Sequence, residues 1–227
     1  MHSLDALHPA TTRAGARGWA IAAIGCFGTS VLLALALQLA LNAQVDPIRQ
    51  VISDYAVFGG EVPFAVSALA LAAGALILLV GLSRAGIPLT RPVRALTGAF
   101  STALALCAFF PTTLSGDPPS VPGEIHEYAG AVLFASLPGA AQLLVRHLRR
   151  QPSWRVLARR LAIRTRWSWA ALALFAASQV PADFPAWQAL SGLVPQGLTE
   201  RVLFLVYLAL LGDLSRAVLH ANERTSC

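Results

Sequence analysis

This chain is poor in charge and contains no lysine. Only 12% of its 227 residues are charged, about half the roughly 25% usual for a soluble domain. So few charges cannot cover a water-facing surface of this size. With 56% hydrophobic residues and a mean hydropathy of +0.62, the bilayer is the simpler solvent. All 17 basic residues are arginine, which reads as a coding bias more than as chemistry. The net charge of +6 does not point to nucleic acid, because the arginines sit in particular connections and not on one face. The three cysteines show no CxxC spacing. Cys26 lies early in the first apolar run and Cys107 late in the third, at different depths, so neither a disulfide nor a zinc site is expected. No HExxH, HxxxH, P-loop, GxSxG or GxGxxG motif is present. With one histidine, His126, outside the N-terminal tail and the basic segments, a three-histidine zinc site of the membrane-ceramidase kind cannot be built. The phosphatidic-acid-phosphatase pattern also lacks its parts. No metal and no cofactor is expected.

What the chain does have is apolar runs, at about 18–41, 63–82, 93–110, 127–145, 167–184 and 198–220. A run of about 20 residues crosses a hydrocarbon core of about 30 Å at 1.5 Å per residue. The expected fold is therefore all-α: one polytopic six-helix transmembrane domain over 18–221, with tails at 1–17 and 222–227. The first run starts like a signal peptide but is too long for one, and Leu41-Asn-Ala43 is a poor cleavage site, so cleavage is not expected. Pro63 suits a first helical position. Pro138 sits mid-helix and frees a carbonyl that neighbouring helices must satisfy. Gly130, Ser136, Gly139 and Ala140 allow close packing there, and Thr97 and Ser101 read as interhelical hydrogen bonds.

The connections alternate in charge. The tail, 83–94, 146–166 and the C-terminus hold 15 of the 17 arginines against Asp5, Asp213 and Glu223. The 42–62, 111–127 and 181–201 connections hold Arg49 and Arg201 with eight carboxylates: Asp46, Asp54, Glu61, Asp117, Glu124, Glu127, Asp183 and Glu200. The positive-inside rule then places both termini in the cytoplasm. The 146–166 arginines, with Trp154, Leu157 and Leu161 at helical spacing, fit a surface-lying helix or, more simply, a topology anchor.

The acidic connections carry the candidate site. Asp46 to Tyr55 reads as a short helix, with Asp46 as N-cap, Pro47 in the first position, and Ile48, Val51, Ile52 and Tyr55 on one apolar face. The 111–128 connection reads as loop to about Gly123. His126 and Glu127 then open the fourth helix at its electropositive end, which favours a neutral imidazole able to act as a base. The bland alternative is that His126 hydrogen-bonds a loop carbonyl. Arg201 lies on the wrong side for the positive-inside rule, where an unpaired arginine costs about 0–3 kcal/mol. A carboxylate partner is expected among Asp54, Asp117, Asp183 and Glu200. Gln38, Asn42 and Gln179 extend this polar mouth inward.

Ile52-Ser-Asp-Tyr55, Phe110-Pro111, Gly116-Asp117, His126 and Gly197-Leu-Thr-Glu-Arg201 together resemble the bacterial six-span family known as domain of unknown function 998, over roughly Gly18 to Ala221. The resemblance implies a multi-pass membrane protein and supplies no reaction. It singles out Ser53, Asp54, Asp117, His126 and Arg201.

The resulting reading is an integral membrane protein with an acidic outward-facing site and the lipid bilayer as its partner. A lipid or small anionic ligand would meet it at the outer face. One alternative is a hydrolase or transferase acting on a lipid or envelope substrate. It would use His126 as base, Asp54 or Asp117 to orient it, and Ser53 as nucleophile, with Arg201, Arg49 and Glu200 holding the substrate. Another is a carrier of a proton or small solute in which the same acids titrate. A subunit that only packs against a partner is the third class.

Overall fold

The computed structural model describes residues 9–114, 116–179 and 194–220. These form six α-helices: α1 Pro9–Ala40, α2 Glu61–Arg84, α3 Arg91–Phe109, α4 Val121–Arg149, α5 Arg155–Ser178 and α6 Gln196–Leu219, with no strand among the described residues. Helices adjacent in sequence pack side by side, and α6 returns to α1 and α2 and closes the bundle. Among the described residues, five segments are long and apolar enough to cross a membrane: Gly15–Ala40, Ala56–Arg84, Arg91–Phe109, Val121–Arg149 and Gln196–Leu219. The run expected at 167–184 lies partly in α5; its last residues fall outside the described part.

Small and β-unbranched residues fill the centre. Ala72, Ala75, Leu78, Phe100, Leu104, Leu137, Leu144, Leu203, Tyr207 and Leu210 are buried. Hydroxyls stitch the helices. Ser30 and Ser67 join α1 to α2 at 3.1 Å, Ser101 donates to the Ala72 carbonyl at 3.1 Å, and Ser178 meets Thr199 at 3.1 Å. Thr97 instead turns back on its own helix, to the Val93 carbonyl. Pro138 is buried within an unbroken α4. The carbonyl it frees, four residues earlier, is that of Phe134, and the Tyr207 hydroxyl of α6 donates to it.

Two local expectations are corrected, and one of the two alternatives for the 146–166 segment is set aside. Residues 46–55 do not form one helix; two turns meet at a break around Val51, for reasons given below. The fourth helix begins at Val121, capped by the Ser120 hydroxyl, which accepts from the Gly123 N–H at 3.1 Å with Pro122 in the first turn. His126 and Glu127 thus sit in the second turn, beyond the reach of the terminal dipole. The arginines from Arg155 to Arg166 are not on a separate surface-lying helix. They form the first half of α5, whose Leu157, Ala158, Leu161 and Thr165 are buried against the bundle.

The two ends of the bundle differ. Arg84, Arg91, Arg146, Arg164 and Arg216 lie at or near the α2–α3 and α4–α5 turns and the end of α6. The opposite end carries the 41–60 and 110–120 connections and the start of α6.

Candidate functional site

The site is built where the α1–α2 connection lies on the start of α6. The first described turn of α6 has N–H groups without helical partners. One of them, that of Leu198, donates to the Ile48 carbonyl at 3.0 Å. This contact brings the connection so close that a side chain at Gly197 would collide with the carbonyl oxygens of Gln50 and Pro47. Glycine is required there by proximity.

Two adjacent charged residues of α6 then take up the backbone groups exposed by the break in the connection. Glu200 Oε2 accepts from the Ile52 N–H at 2.5 Å. Arg201 Nη1 donates to the Gln50 carbonyl at 2.9 Å and to the Gly197 carbonyl at 3.0 Å. Its Nη2 donates to the Tyr55 hydroxyl at 2.9 Å and its Nε to Gln38 Oε1 at 3.3 Å. The guanidinium carbon also stands 5.6 Å from the centre of the Tyr55 ring. These bonds are the physical reason that 46–55 does not continue as one helix: the groups at 50–52 that would bond along the chain are held across it by α6.

The break is also closed from within. Asp54 Oδ2 accepts from the Val51 N–H at 3.2 Å while the Asp54 N–H donates to the Val51 carbonyl at 3.1 Å. Earlier in the connection, Asp46 Oδ1 accepts from the Ile48 N–H at 2.8 Å, which is its expected capping role. Tyr55 is buried with Leu37 and Val45, and Leu41, Ile52, Phe58 and Phe64 pack around them.

Arg201 has no carboxylate within 4 Å among the described residues. Its partners are two carbonyls, an amide and a phenol. Asp54 and Glu200 act on it electrostatically from further away, and on each other. Asp183 lies outside the described residues. Glu200 is 5% exposed and Asp54 9% exposed. Burial holds the Asp54 carboxyl above the usual carboxylate range, against the opposing pull of the Val51 N–H and of Arg201. Ser53 is buried beside them, and its hydroxyl makes no hydrogen bond to a described residue.

The other expected site residues fall elsewhere. His126 Nδ1 bonds the Phe110 carbonyl at 2.7 Å, and its ring stacks on Phe64 with centroids 6.5 Å apart. Nδ1 therefore carries the proton and Nε2 the lone pair. Phe64 thus stands between the imidazole and the Tyr55 cluster, but no hydrogen bond joins His126 to Ser53, Asp54 or Asp117. Asp117 is exposed on its loop, with its N–H donated to the Leu114 carbonyl. Arg49 is solvent-exposed and touches Asp46 at 4.0 Å. Asn42 is exposed, and Gln179 accepts from Gln196 at 3.4 Å. Among the described residues, no group of three or more histidine, cysteine or acidic side chains could hold a metal ion.

Sequence reasoning gave Tyr55 and Gly197 no chemical part, although both belong to the motifs it singled out. The available signal was Arg201: an arginine at the mouth of an apolar helix needs donors' partners, and a phenol and a closely approaching backbone supply them. These two motifs, 145 or so residues apart, are the two halves of one contact.

No curated protein and no solved structure matches this chain. A family model described as "Protein of unknown function (DUF998)" matches residues 26–216 and so takes in both halves of the contact. The chain belongs to the DUF998 family, and its apolar helices fit an integral, multi-pass membrane protein.

Proposed function

We propose that this is a six-span protein of the bacterial inner membrane, with both termini cytoplasmic, whose working part is the Ser53–Asp54–Glu200–Arg201 cluster at the outer face. Its function is to bind a proton, or a small cation in its place, and so to set how tightly the 45–55 connection is held on α6. The observation that carries this reading is a count of charge. Two buried carboxyls share one guanidinium that is already committed to neutral partners. With both acids ionised the cluster is one negative charge in excess, in a place where uncompensated charge is costly. One proton removes the excess. The hydrogen bond to Ile52 needs only an acceptor, which a glutamine would supply without charge, so the carboxyl brings something that the fold alone does not ask for.

The enzyme alternative has less support. His126 spends Nδ1 on the Phe110 carbonyl and bonds neither Ser53 nor an acid, and Asp117 is exposed. A carrier with a continuous polar path is also less well supported: Ser30 and Ser101 are bound to neighbouring helices and Thr29 to its own Gly25 carbonyl.

The test is amide hydrogen–deuterium exchange of the 45–55 segment in detergent between pH 5 and pH 8, corrected for intrinsic rates. The wild type should protect this segment more strongly at the acidic end, where the cluster is neutral. Glu200→Gln and Asp54→Asn should each keep the segment protected across the range. Protection of the wild-type segment that does not change with pH would defeat the proposal. Reporter fusions after Ser120 and after Arg91, on opposite sides of the membrane, check the orientation.

A further inference from the structure

A second charged cluster lies at the other end of the bundle. Asp213 of α6 accepts from Arg164 Nε of α5 at 2.9 Å and faces Arg216 Nη1 at 3.5 Å. Two guanidiniums thus share one carboxylate, and this cluster carries one positive charge in excess. Arg164 and Arg216 keep 45% and 74% of their side chains exposed. Both have nitrogens left for a further acceptor.

From Arg164 a groove of about 340 Å³ runs between α5 and α6, walled by Trp167, Val202, Leu205, Val206 and Ala209. Apart from Arg164 its walls are apolar or aromatic. Trp167 is 61% and Leu205 65% exposed, so it opens sideways into the surroundings of the bundle. Its α6 wall runs from Val202 to Ala209, seven residues or about 10 Å at 1.5 Å per residue. That is about two thirds of the depth of one leaflet, half of a hydrocarbon thickness of about 30 Å. Trp167 and Trp169 follow the arginines on α5 and are exposed, residues of the kind enriched at membrane–water interfaces.

We propose that this groove is a binding site for one anionic phospholipid, taken from the leaflet on the arginine-rich side, with its phosphate on Arg164 and one acyl chain along Trp167, Leu205 and Ala209. The charge fits: one phosphate anion neutralises the Arg164–Asp213–Arg216 cluster. The shape fits as well, since a cation stands at one end and an apolar groove long enough for much of an acyl chain runs from it. Guanidinium is suited to this role by its planar, bidentate match to phosphate oxygens. The site is independent of the Glu200–Arg201 cluster and would stand if that reading failed.

The probe is phosphatidylglycerol with brominated acyl chains, which quenches tryptophan on contact. Trp167 is made the sole tryptophan by replacing Trp19, Trp154, Trp169 and Trp187 with phenylalanine. This variant is reconstituted in phosphatidylcholine vesicles carrying an equal small fraction of brominated phosphatidylglycerol or brominated phosphatidylcholine. Occupancy at Trp167 should favour phosphatidylglycerol by about fivefold, the weight one arginine carries at an anionic surface. Arg164→Gln should bring the ratio to near one. Ala209→Phe, which fills the groove and leaves all three charged residues in place, should do the same. Equal quenching by the two lipids before any further change overturns the proposal whether or not the variants fold. A preference that survives Arg164→Gln overturns the phosphate contact, and one that survives Ala209→Phe overturns the groove.

Discussion

Each end of the bundle holds a three-residue charged cluster, and the two are built on opposite plans. Asp54, Glu200 and Arg201 are drawn into the protein and bind backbone and neutral side chains. Arg164, Asp213 and Arg216 lie near the surface and bind one another. Both combine carboxylates with arginine, in opposite proportions, and they differ in what their charges are used for. In the first cluster each charge replaces hydrogen bonds that a broken stretch of main chain would otherwise lack, and removing it leaves buried groups unmet. In the second, water can take over any bond that is lost, and the pairs are worth little by themselves.

Mutation should separate the two ends by size of effect. Arg201→Ala should be the most damaging, because it strands the Gln50 carbonyl and leaves the buried Tyr55 hydroxyl without its donor. At about 1–3 kcal/mol for each buried group left unmet, a loss of about 3 kcal/mol or more is expected in detergent melts. Arg201→Lys should recover less than half of it, since an ammonium cannot span the same fork of acceptors. If neutralising Asp54 or Glu200 rescued Arg201→Ala in full, the neutral-partner description of this arginine would be wrong.

Gly197→Ala should come next, at about 1–3 kcal/mol for forcing a methyl group against the Gln50 carbonyl. Its damage should be confined to the 45–55 segment, read as faster amide exchange there. An alanine tolerated without change would mean that α6 and the connection do not touch as described.

A smaller effect is expected from Asp54, and it should depend on pH. Its carboxyl is held above its ordinary value by burial. The stability it contributes is therefore fully present below the ordinary value near 4 and is lost as pH rises through the raised one. Asp54→Asn lacks this loss. Its melting temperature relative to wild type should rise as pH goes from 4 to 7, and a flat or falling difference would contradict the burial described here. The smallest effect belongs to the other end: Arg164→Gln should cost about 0–1 kcal/mol, and less in high salt. A loss as large as that of Arg201→Ala would erase the contrast between the ends.

The two ends were not equally legible in the sequence. The arginine-rich end and the helices between the ends could be read, because length, hydropathy and the placement of arginine follow from the solvent alone. The acidic end could be located but not drawn. Spacing alone makes Ile48, Val51, Ile52 and Tyr55 a helical face. It cannot register that Glu200 and Arg201, far along the chain, take the hydrogen bonds such a helix would need. For the same reason the pattern suggests a carboxylate beside Arg201, whereas carbonyl oxygens and a phenol satisfy it. The start of α4 was placed too late because the Pro and Gly after Ser120 read as loop, whereas Pro122 and Gly123 occupy a first turn in which neither is costly. The bond from His126 to the Phe110 carbonyl is the plainer of the two readings its position in the sequence allows.

The Tyr207 hydroxyl on the Phe134 carbonyl has a bearing on how this protein is made. Ribosomes deliver α4 well before α6, so for a time α4 must enter the membrane with the carbonyl freed by Pro138 unanswered. An isolated helix with such a gap is a poor occupant of lipid. Until α6 emerges, water, a local change of helical hydrogen bonding or a neighbouring helix has to answer that carbonyl in its place. Completion of α4 is in this way deferred to α6, and a ribosome that stops between them leaves a helix that quality-control proteases can recognise. Tyr207→Phe should prolong that unfinished stage in every molecule, and would show it as lower yield in the membrane at unchanged rate of synthesis.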